Sequence, residues 1–436
     1  MRIAIIGSGI SGLGAAWLLS RAHEVVLFEA NDYLGGHTHT HEVDVDGRTL
    51  AVDTGFIVHN ARHYPLLTRL FGELEVATQP TTMSFSVHNE RTGLEYNATS
   101  LDALFCQRRN LLSPRFLRML ADLARFYRIA PRLLAEPGPG PALGDYLHAN
   151  RFGEAFRDDH LIPMASALWS APAAQILQFP ARHLVQFMAN HQMLQVAGRS
   201  QWKVVSGGSW RYVQALRARW SATVRMGTPV HAVRRLEHGV ALATAHGEDT
   251  FDHVVLACHS DQALSLLADA DEREREVLGA IAYQPNDVVL HTDERVLPRD
   301  RKAWAAWNAH VGDDAQHACT VSYCMNLLQG LPVRTPVVVT LNRSDAIDPA
   351  RVLKRVRYQH PVFTAQAVAA QARRHELQGR RATWFAGAYW GWGFHEDGLR
   401  SAVDVARGLG VEWAPAAPAS QPDQAALPDR LAWGRA

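Results

Sequence analysis

Arg2-Ile3-Ala4-Ile5-Ile6-Gly7-Ser8-Gly9-Ile10-Ser11-Gly12 decides the fold. The run Arg2 to Ile6 has the length and apolarity of a buried strand. A Gly-x-Gly-x-x-Gly turn comes directly after it, Ala15 to Leu19 suit a helix, and Glu24 to Glu29 reads as a second strand. In that β–α–β order each glycine has a mechanical task. Gly7 allows the tight turn, Gly9 lets a pyrophosphate approach the backbone, and Gly12 lets helix and strand pack closely. Ser8, Ile10 and Ser11 complete the turn, where free N–H groups and a positive dipole end face the phosphates. Glu29, next to Ala30, lies seventeen residues past Gly12. Its carboxylate can accept hydrogen bonds from both hydroxyls of an adenosine ribose and would repel a 2′-phosphate. The stretch predicts a site for NAD or FAD and argues against NADP. The glycine spacing also accounts for an apolar N-terminus that could otherwise be taken for a secretory leader.

Residues beyond Glu29 separate the two cofactors. Leu34-Gly35-Gly36-His37-Thr38 forms a second glycine turn, and Val52-Asp53-Thr54-Gly55-Phe56-Ile57 comes soon after. With these segments the sequence resembles the FAD-dependent amine oxidase superfamily, which includes monoamine oxidases, protoporphyrinogen oxidase and phytoene desaturases. The resemblance implies that Gly35, Gly36, His37 and Thr38 lie by the pyrophosphate, and that Thr54, Gly55, Phe56 and Ile57 run under the isoalloxazine. The family pattern has Arg where this chain has His37.

Two later blocks extend the resemblance over nearly the whole length. Val205-Ser206-Gly207-Gly208-Ser209 precedes helical spacing at Val213 and Leu216. Short strands are predicted over Pro229–Val233, Val240–Ala243 and His253–Ala257, and the residue at Val230 is implied to meet the adenine. The closing block is Phe385-Ala386-Gly387-Ala388-Tyr389, then Gly393-Phe394-His395-Glu396-Asp397-Gly398-Leu399. It implies a glycine turn and a helix start facing the flavin, with Gly387, Ala388, Glu396, Asp397, Gly398 and Leu399 as contacts. Ala388 stands where the family often has an acid. Helical spacing runs from Leu399 to Leu409, with Glu396 or Asp397 available as its cap.

The expected architecture is α/β: a Rossmann-like FAD-binding domain of the amine oxidase (GR2) type with an interleaved α+β substrate domain. The cofactor domain is assembled from about 1–95, 200–270 and 378–412, the substrate domain from 96–199 and 271–377, and 413–436 form a flexible, Pro- and Ala-rich tail. No cysteine stands in the closing block, so FAD is expected to be non-covalent.

Bulk properties narrow the function classes. The 436 residues carry a net charge of +1, 47% hydrophobic and 20% charged residues, as in a globular protein without a global field for nucleic acid. The four cysteines, Cys106, Cys258, Cys319 and Cys324, form no CxxC pair, which fits a reducing cytoplasm. His37, His39 and His41 alternate, but no nearby Cys or Asp completes a metal site. His395 and His59 are the candidate acid–base residues.

Amine oxidases of the superfamily commonly place a lysine near the flavin. The only lysines are Lys203, Lys302 and Lys354, and the expected position falls within Val288-Val289-Leu290. The amine-holding aromatic pair is half visible, as Phe394 with Tyr389, Trp390 or Trp392. Over 105–135, arginines alternate with leucines and phenylalanines in an amphipathic pattern, which fits either a solvated, arginine-rich helix face or peripheral contact with an anionic membrane, the inner one in a cytoplasmic protein. The GFHEDGL ending resembles a bacterial group of FAD-binding proteins often encoded beside cyclopropane-fatty-acid synthase-like methyltransferases. That association implies oxidation or desaturation of an apolar, lipid or fatty-acyl substrate. A C–N oxidase is the alternative enzyme, and a non-catalytic FAD-binding redox sensor or scaffold is the alternative from another class.

Overall fold

A computed structural model describes residues 1–136, 138, 140–169, 171–195, 198–312 and 320–414. Arg2–Ile6 is the middle strand of a five-stranded parallel sheet. Its order is Thr223–Arg225, Glu24–Phe28, Arg2–Ile6, His253–Leu256, Thr383–Phe385. Ile3, Ala4 and Ile5 are fully buried. A strand paired in parallel on both edges and covered on both faces needs a continuous apolar run rather than an alternating one.

Helix Ile10–Leu19 lies against the closing helix His395–Gly408. Their approach requires Gly14, where an added Cβ would come within 2.6 Å of the Leu399 side chain. Sequence-distant pieces thus share one core, in which Leu13, Leu18, Leu399, Ala402 and Val405 pack together. The meander Val230–Arg235, Val240–Thr244, Gly247–Phe251 forms a separate antiparallel sheet beside it.

The second large layer is a seven-stranded mixed sheet. It runs Val352–Pro361, Tyr283–His291, Val338–Leu341, Thr320–Cys324, Trp307–Val311, Phe85–Asn89, Leu94–Asn97, with only the Trp307–Val311 and Phe85–Asn89 pair parallel. Side chains of Val87, Leu94 and Tyr96 pack with helical residues such as Phe116, Leu147, Met164 and Phe187.

The structure departs from the sequence expectations at three places. Phe85–Asn89 and Leu94–Asn97 fall inside the expected 1–95 cofactor piece, yet they pair in the seven-stranded sheet. Trp413, assigned to the tail, is buried, with the Arg69 guanidinium 4.0 Å from its ring centroid. Tail prolines Pro415, Pro418, Pro422 and Pro428 lie outside the described residues, as does Cys319. The closing helix begins at His395 rather than Leu399.

The basic stretch forms the helix Pro114–Ile129. Its apolar residues Phe116, Met119 and Phe126 are buried in the protein core, so that face is not free for a bilayer. Among the described residues no helix is long and apolar enough to cross a membrane.

Candidate functional site: a cofactor cavity between two sheets

A cavity of about 770 Å³ lies between the parallel sheet and the seven-stranded sheet. One half of its wall comes from the glycine turn and its neighbours: Gly7, Ser8, Gly9, Ile10, Ser11, Glu29, Ala30, Gly36, His37 and Val230. The other expected contacts on the wall are Thr54, Gly55, Phe56, Ile57, Gly387, Ala388 and His395. Three distant segments of the chain therefore do meet at one cavity.

The turn is built as its glycines demand. Gly7 has φ +100°, a region that favours glycine, and an added Cβ would meet the Ala257 carbonyl at 2.9 Å. A Cβ on Gly12 would lie 1.8 Å from the Gly7 carbonyl oxygen. Gly12 therefore packs under the turn and does not line the cavity. Gly9 differs: no protein atom lies within 4 Å of its added Cβ. Gly36, φ +58°, sits against Gly9 with an added Cβ 3.1 Å from the Gly9 Cα. Gly9 thus leaves bare backbone with open space before it, and Gly36 lets the second turn close against the first.

Glu29 is fixed at the end of its strand by four donors. Ser8 N (2.9 Å) and Ser8 Oγ (2.5 Å) donate to Oε2; Asn31 N (2.9 Å) and Asn31 Nδ2 (2.7 Å) donate to Oε1. The hydroxyl of Ser8 and the amide of Asn31 can rotate aside for incoming hydroxyl donors while the backbone bonds hold the carboxylate in place.

Several expected contacts support the wall rather than form it. Thr38 Oγ1 is 2.5 Å from the Tyr212 hydroxyl and 2.9 Å from His395 Nε2. Gly35, φ +123°, turns the chain, and its N–H donates to the Ser8 carbonyl. Glu396 accepts from Leu66 N and Leu67 N, each at 3.0 Å, and so caps helix Pro65–Glu73 from a distance. Asp397 accepts from Trp392 N at 3.0 Å and Phe394 N at 3.2 Å, closing its own helix start. Gly398 packs against Ile10 and Ser11, where an added Cβ would be 2.7 Å from Ile10, and Leu399 is core. Glu396, Asp397, Gly398 and Leu399 are thus not wall residues. The two acids were expected at a cofactor because they begin a helix; their carboxylates are already engaged by backbone N–H groups.

The two candidate acid–base histidines part company. His395 is on the wall, stacked on Phe56 at 3.8 Å and bonded to Thr38. Burial, with His37 nearby, lowers it to about 3. It is neutral at ordinary pH and a poor proton acceptor, which fits a positioning role. His59 does not line the cavity; it packs edge-on against Phe71, and burial lowers it to about 4.

None of the three lysines lines the cavity. Lys302 pairs with Asp102 at 3.1 Å, half exposed, and Val288 is the wall residue from the segment where the resemblance would place a lysine. Phe394 and Trp392 are on the wall with Tyr389, whereas Trp390 is not.

Sequence reasoning missed a whole strip of the wall. Asn31, Tyr33, His259, Tyr358 and His360 all face the cavity. Val352–Pro361 lies more than 300 residues from the glycine turn and carries no glycine signature, so only the pairing of Asn286 with Tyr358 brings it in. Cys258 is also on the wall, beside Gly7, and burial pushes its thiol up to about 12. Among the described residues no group of three or more His, Cys, Asp or Glu is placed to hold a metal ion, and Cys106, Cys258 and Cys324 are free.

The sequence model of the flavin containing amine oxidoreductases matches residues 10–342. The chain belongs to this family. Its cofactor is FAD, and it is an FAD-dependent oxidoreductase. A 47-residue stretch is 45% identical to an L-amino acid oxidase of Cerastes cerastes, covering 11% of this chain and 9% of that protein. The chain is also similar in fold to the CLA-producing fatty acid isomerase of P. acnes, at 17% identity and TM-score 0.64, over 94% of this chain and 99% of the isomerase. It is equally similar to cyclohexylamine oxidase of Brevibacterium oxydans IH-35A, at 17% identity and TM-score 0.66, over 94% and 99%. Bare backbone at Gly9, beside an acid that can meet ribose hydroxyls, fits an extended dinucleotide such as FAD.

Proposed function

We propose that this FAD-dependent oxidoreductase oxidises or desaturates an apolar, lipid-like substrate such as a fatty-acyl chain. The adenosine ribose is held by Glu29, the diphosphate by the Gly9 turn and Gly36, and the flavin by Thr54–Ile57, Gly387, Ala388 and His395. When bound there, FAD would supply the redox chemistry as a hydride acceptor.

The observation that carries this reading is the far wall of the cavity. Leu168, Trp169, Val288, Leu341, Phe363 and Trp392 enclose it, without a lysine. Such a wall aligns an apolar chain by excluding water and gives an amine no cation-compatible carboxylate partner. The wall histidines are held neutral with low basicity, and burial pushes the Tyr358 phenol above its usual value. Hydride removal then rests on alignment rather than on a side-chain base, and the proton that a desaturation also releases would leave to water. The P. acnes relative, named as a fatty acid isomerase, accommodates such a substrate on the same fold.

Anaerobic titration of the yellow protein with phospholipids, fatty acids and an amine panel tests the substrate. Bleaching by a lipid, with mass-spectrometric loss of two hydrogens, is the expected result. Bleaching by an amine alone makes the chain a C–N oxidase. A flavin that no substrate bleaches makes it a sensor.

We also assign lipid contact to the tip at 101–117, not to the buried helix face. Among the described residues, four of the six exposed large apolar side chains lie there: Leu101, Leu111, Leu112 and Leu117. Leu112 is 87% exposed, and Arg108, Arg109, Arg115 and Arg118 lie among the leucines in the sequence. Apolar insertion edged by arginines matches an anionic bilayer. Leu111→Asp with Leu112→Asp should reduce cosedimentation with phosphatidylglycerol vesicles about 10-fold. Equal binding of both proteins, or no wild-type binding, would refute this contact.

A further inference from the structure

Two hydrogen-bond chains start at residues of the cavity wall, and they run in different directions. His395 Nε2 is 2.9 Å from Thr38 Oγ1, which is 2.5 Å from the hydroxyl of fully buried Tyr212. That chain leads into the core. The second starts at wall residues Thr54 and Tyr358, whose hydroxyls are 2.7 Å apart. The Tyr358 hydroxyl is in turn 3.2 Å from His39 Nδ1. His39 does not line the cavity and is half-buried, so its ring carries the chain out towards solvent. Each of these three groups can accept one proton while giving up another.

Removal of two hydrogens from an acyl chain yields a C=C bond, a hydride and a proton. The hydride goes to FAD. The proton has to cross a wall whose apolar part excludes water and whose histidines burial makes weak bases.

We propose that Thr54, Tyr358 and His39 form a proton relay that carries the substrate's proton from the cavity to solvent. This rests on the oxidation reading and on the flavin lying against Thr54–Ile57. As the proton reaches the Thr54 oxygen, the Thr54 hydroxyl proton passes to Tyr358, and the Tyr358 proton passes to His39 Nδ1. The Nε2 proton of His39 leaves to water. One proton enters and one departs. The hydroxyls then rotate back, the His39 carbonyl at 3.1 Å serving as a second acceptor for Thr54, and the ring regains its tautomer by exchange with water.

The surroundings suit transit rather than storage. Burial holds the Tyr358 phenol above its ordinary value and His39 below its own, so neither tyrosinate nor imidazolium is favoured. Tyr33 stacks on His39 at 4.2 Å and the His41 ring lies 4.0 Å away. Lys354 opposes a positive charge on His39, while Asp32 favours one.

Anaerobic stopped-flow mixing of the FAD-loaded chain with palmitate or dipalmitoylphosphatidylglycerol, with phenol red in weak buffer, follows bleaching and proton release together. In the wild type the two should keep pace. Tyr358→Phe and Thr54→Val should slow both about 100-fold, whereas Thr54→Ser, which keeps the hydroxyl, should stay near the wild-type rate. His39→Ala should be slow and be restored by added imidazole, to which Tyr358→Phe should not respond. Flavin content and melting temperature identify variants that are intact. Wild-type rates in intact Tyr358→Phe and His39→Ala would overturn the relay and leave the oxidation reading standing. So would a slow His39→Ala that imidazole does not restore. A wild-type protein that neither lipid bleaches would overturn the reading and the relay together.

Discussion

Gly9→Ala is expected to give a folded protein that purifies without flavin. The backbone at Gly9, φ −63° and ψ 178°, suits alanine, and the added methyl meets no protein atom within 4 Å. The methyl instead occupies the space where the diphosphate must approach the backbone. Overpacking of this kind costs about 2–3 kcal/mol, a fall in FAD affinity of about 30- to 150-fold. Gly12→Ala should behave differently, because its methyl would sit 1.8 Å from the Gly7 carbonyl oxygen. There the turn itself must open, and both thermal stability and flavin content should fall. Comparing melting temperature with bound flavin separates the two. Equal melting losses, or full flavin retention in Gly9→Ala, would contradict the division of labour between these glycines.

The second large effect is expected at Asp53→Ala. Asp53 is fully buried, and its carboxylate accepts from Thr40 Oγ1 at 2.5 Å, Ser209 N at 2.9 Å, Ser209 Oγ at 2.8 Å and Gln329 Nε2 at 3.2 Å. It ties the end of strand Arg48–Asp53 to the start of helix Trp210–Arg219, directly before wall residues Thr54–Ile57. Removing the carboxylate leaves several buried donors without a partner, at a cost of about 3 kcal/mol at pH 7. Burial also pushes the Asp53 carboxyl up to about 6, against an unfolded value near 4. A raised folded-state value favours the protonated form. The pH-dependent part of its contribution is thus complete below about 4 and is lost as pH rises through about 6, while the hydrogen bonds to the carboxylate persist at pH 7. Chemical denaturation should show that loss in the wild type and its absence in Asp53→Asn. A destabilisation under about 1 kcal/mol in Asp53→Ala would count against the account.

The parts of this protein that were legible in its sequence are those where backbone geometry restricts residue type. Gly7, Gly12 and Gly14 are each demanded by a contact that a side chain would block, so their spacing announces the parallel sheet and its first helix. The closing helix was legible too, but its acids were not: Glu396 serves a helix that starts at residue 65, and no local pattern reveals a cap supplied from 330 residues away. The same limit hid His259, Tyr358 and His360. They reach the cavity through strand pairing and sheet placement, and their own neighbours in sequence look like ordinary strand and loop. Amphipathic periodicity over 105–135 was real, yet periodicity cannot say whether the apolar side faces a bilayer or the protein's own core. Here Phe116, Met119 and Phe126 face the core.

The central claim is that three separated segments form one cavity for a single extended FAD. An experimental structure of the full chain crystallised with FAD is the measurement that tests it most directly. It should show the adenosine ribose hydroxyls bonded to Glu29, the diphosphate against Gly9 and Gly36, and the flavin between Thr54–Ile57 and His395. FAD lying elsewhere, or a fully formed chain that excludes it, would contradict the account.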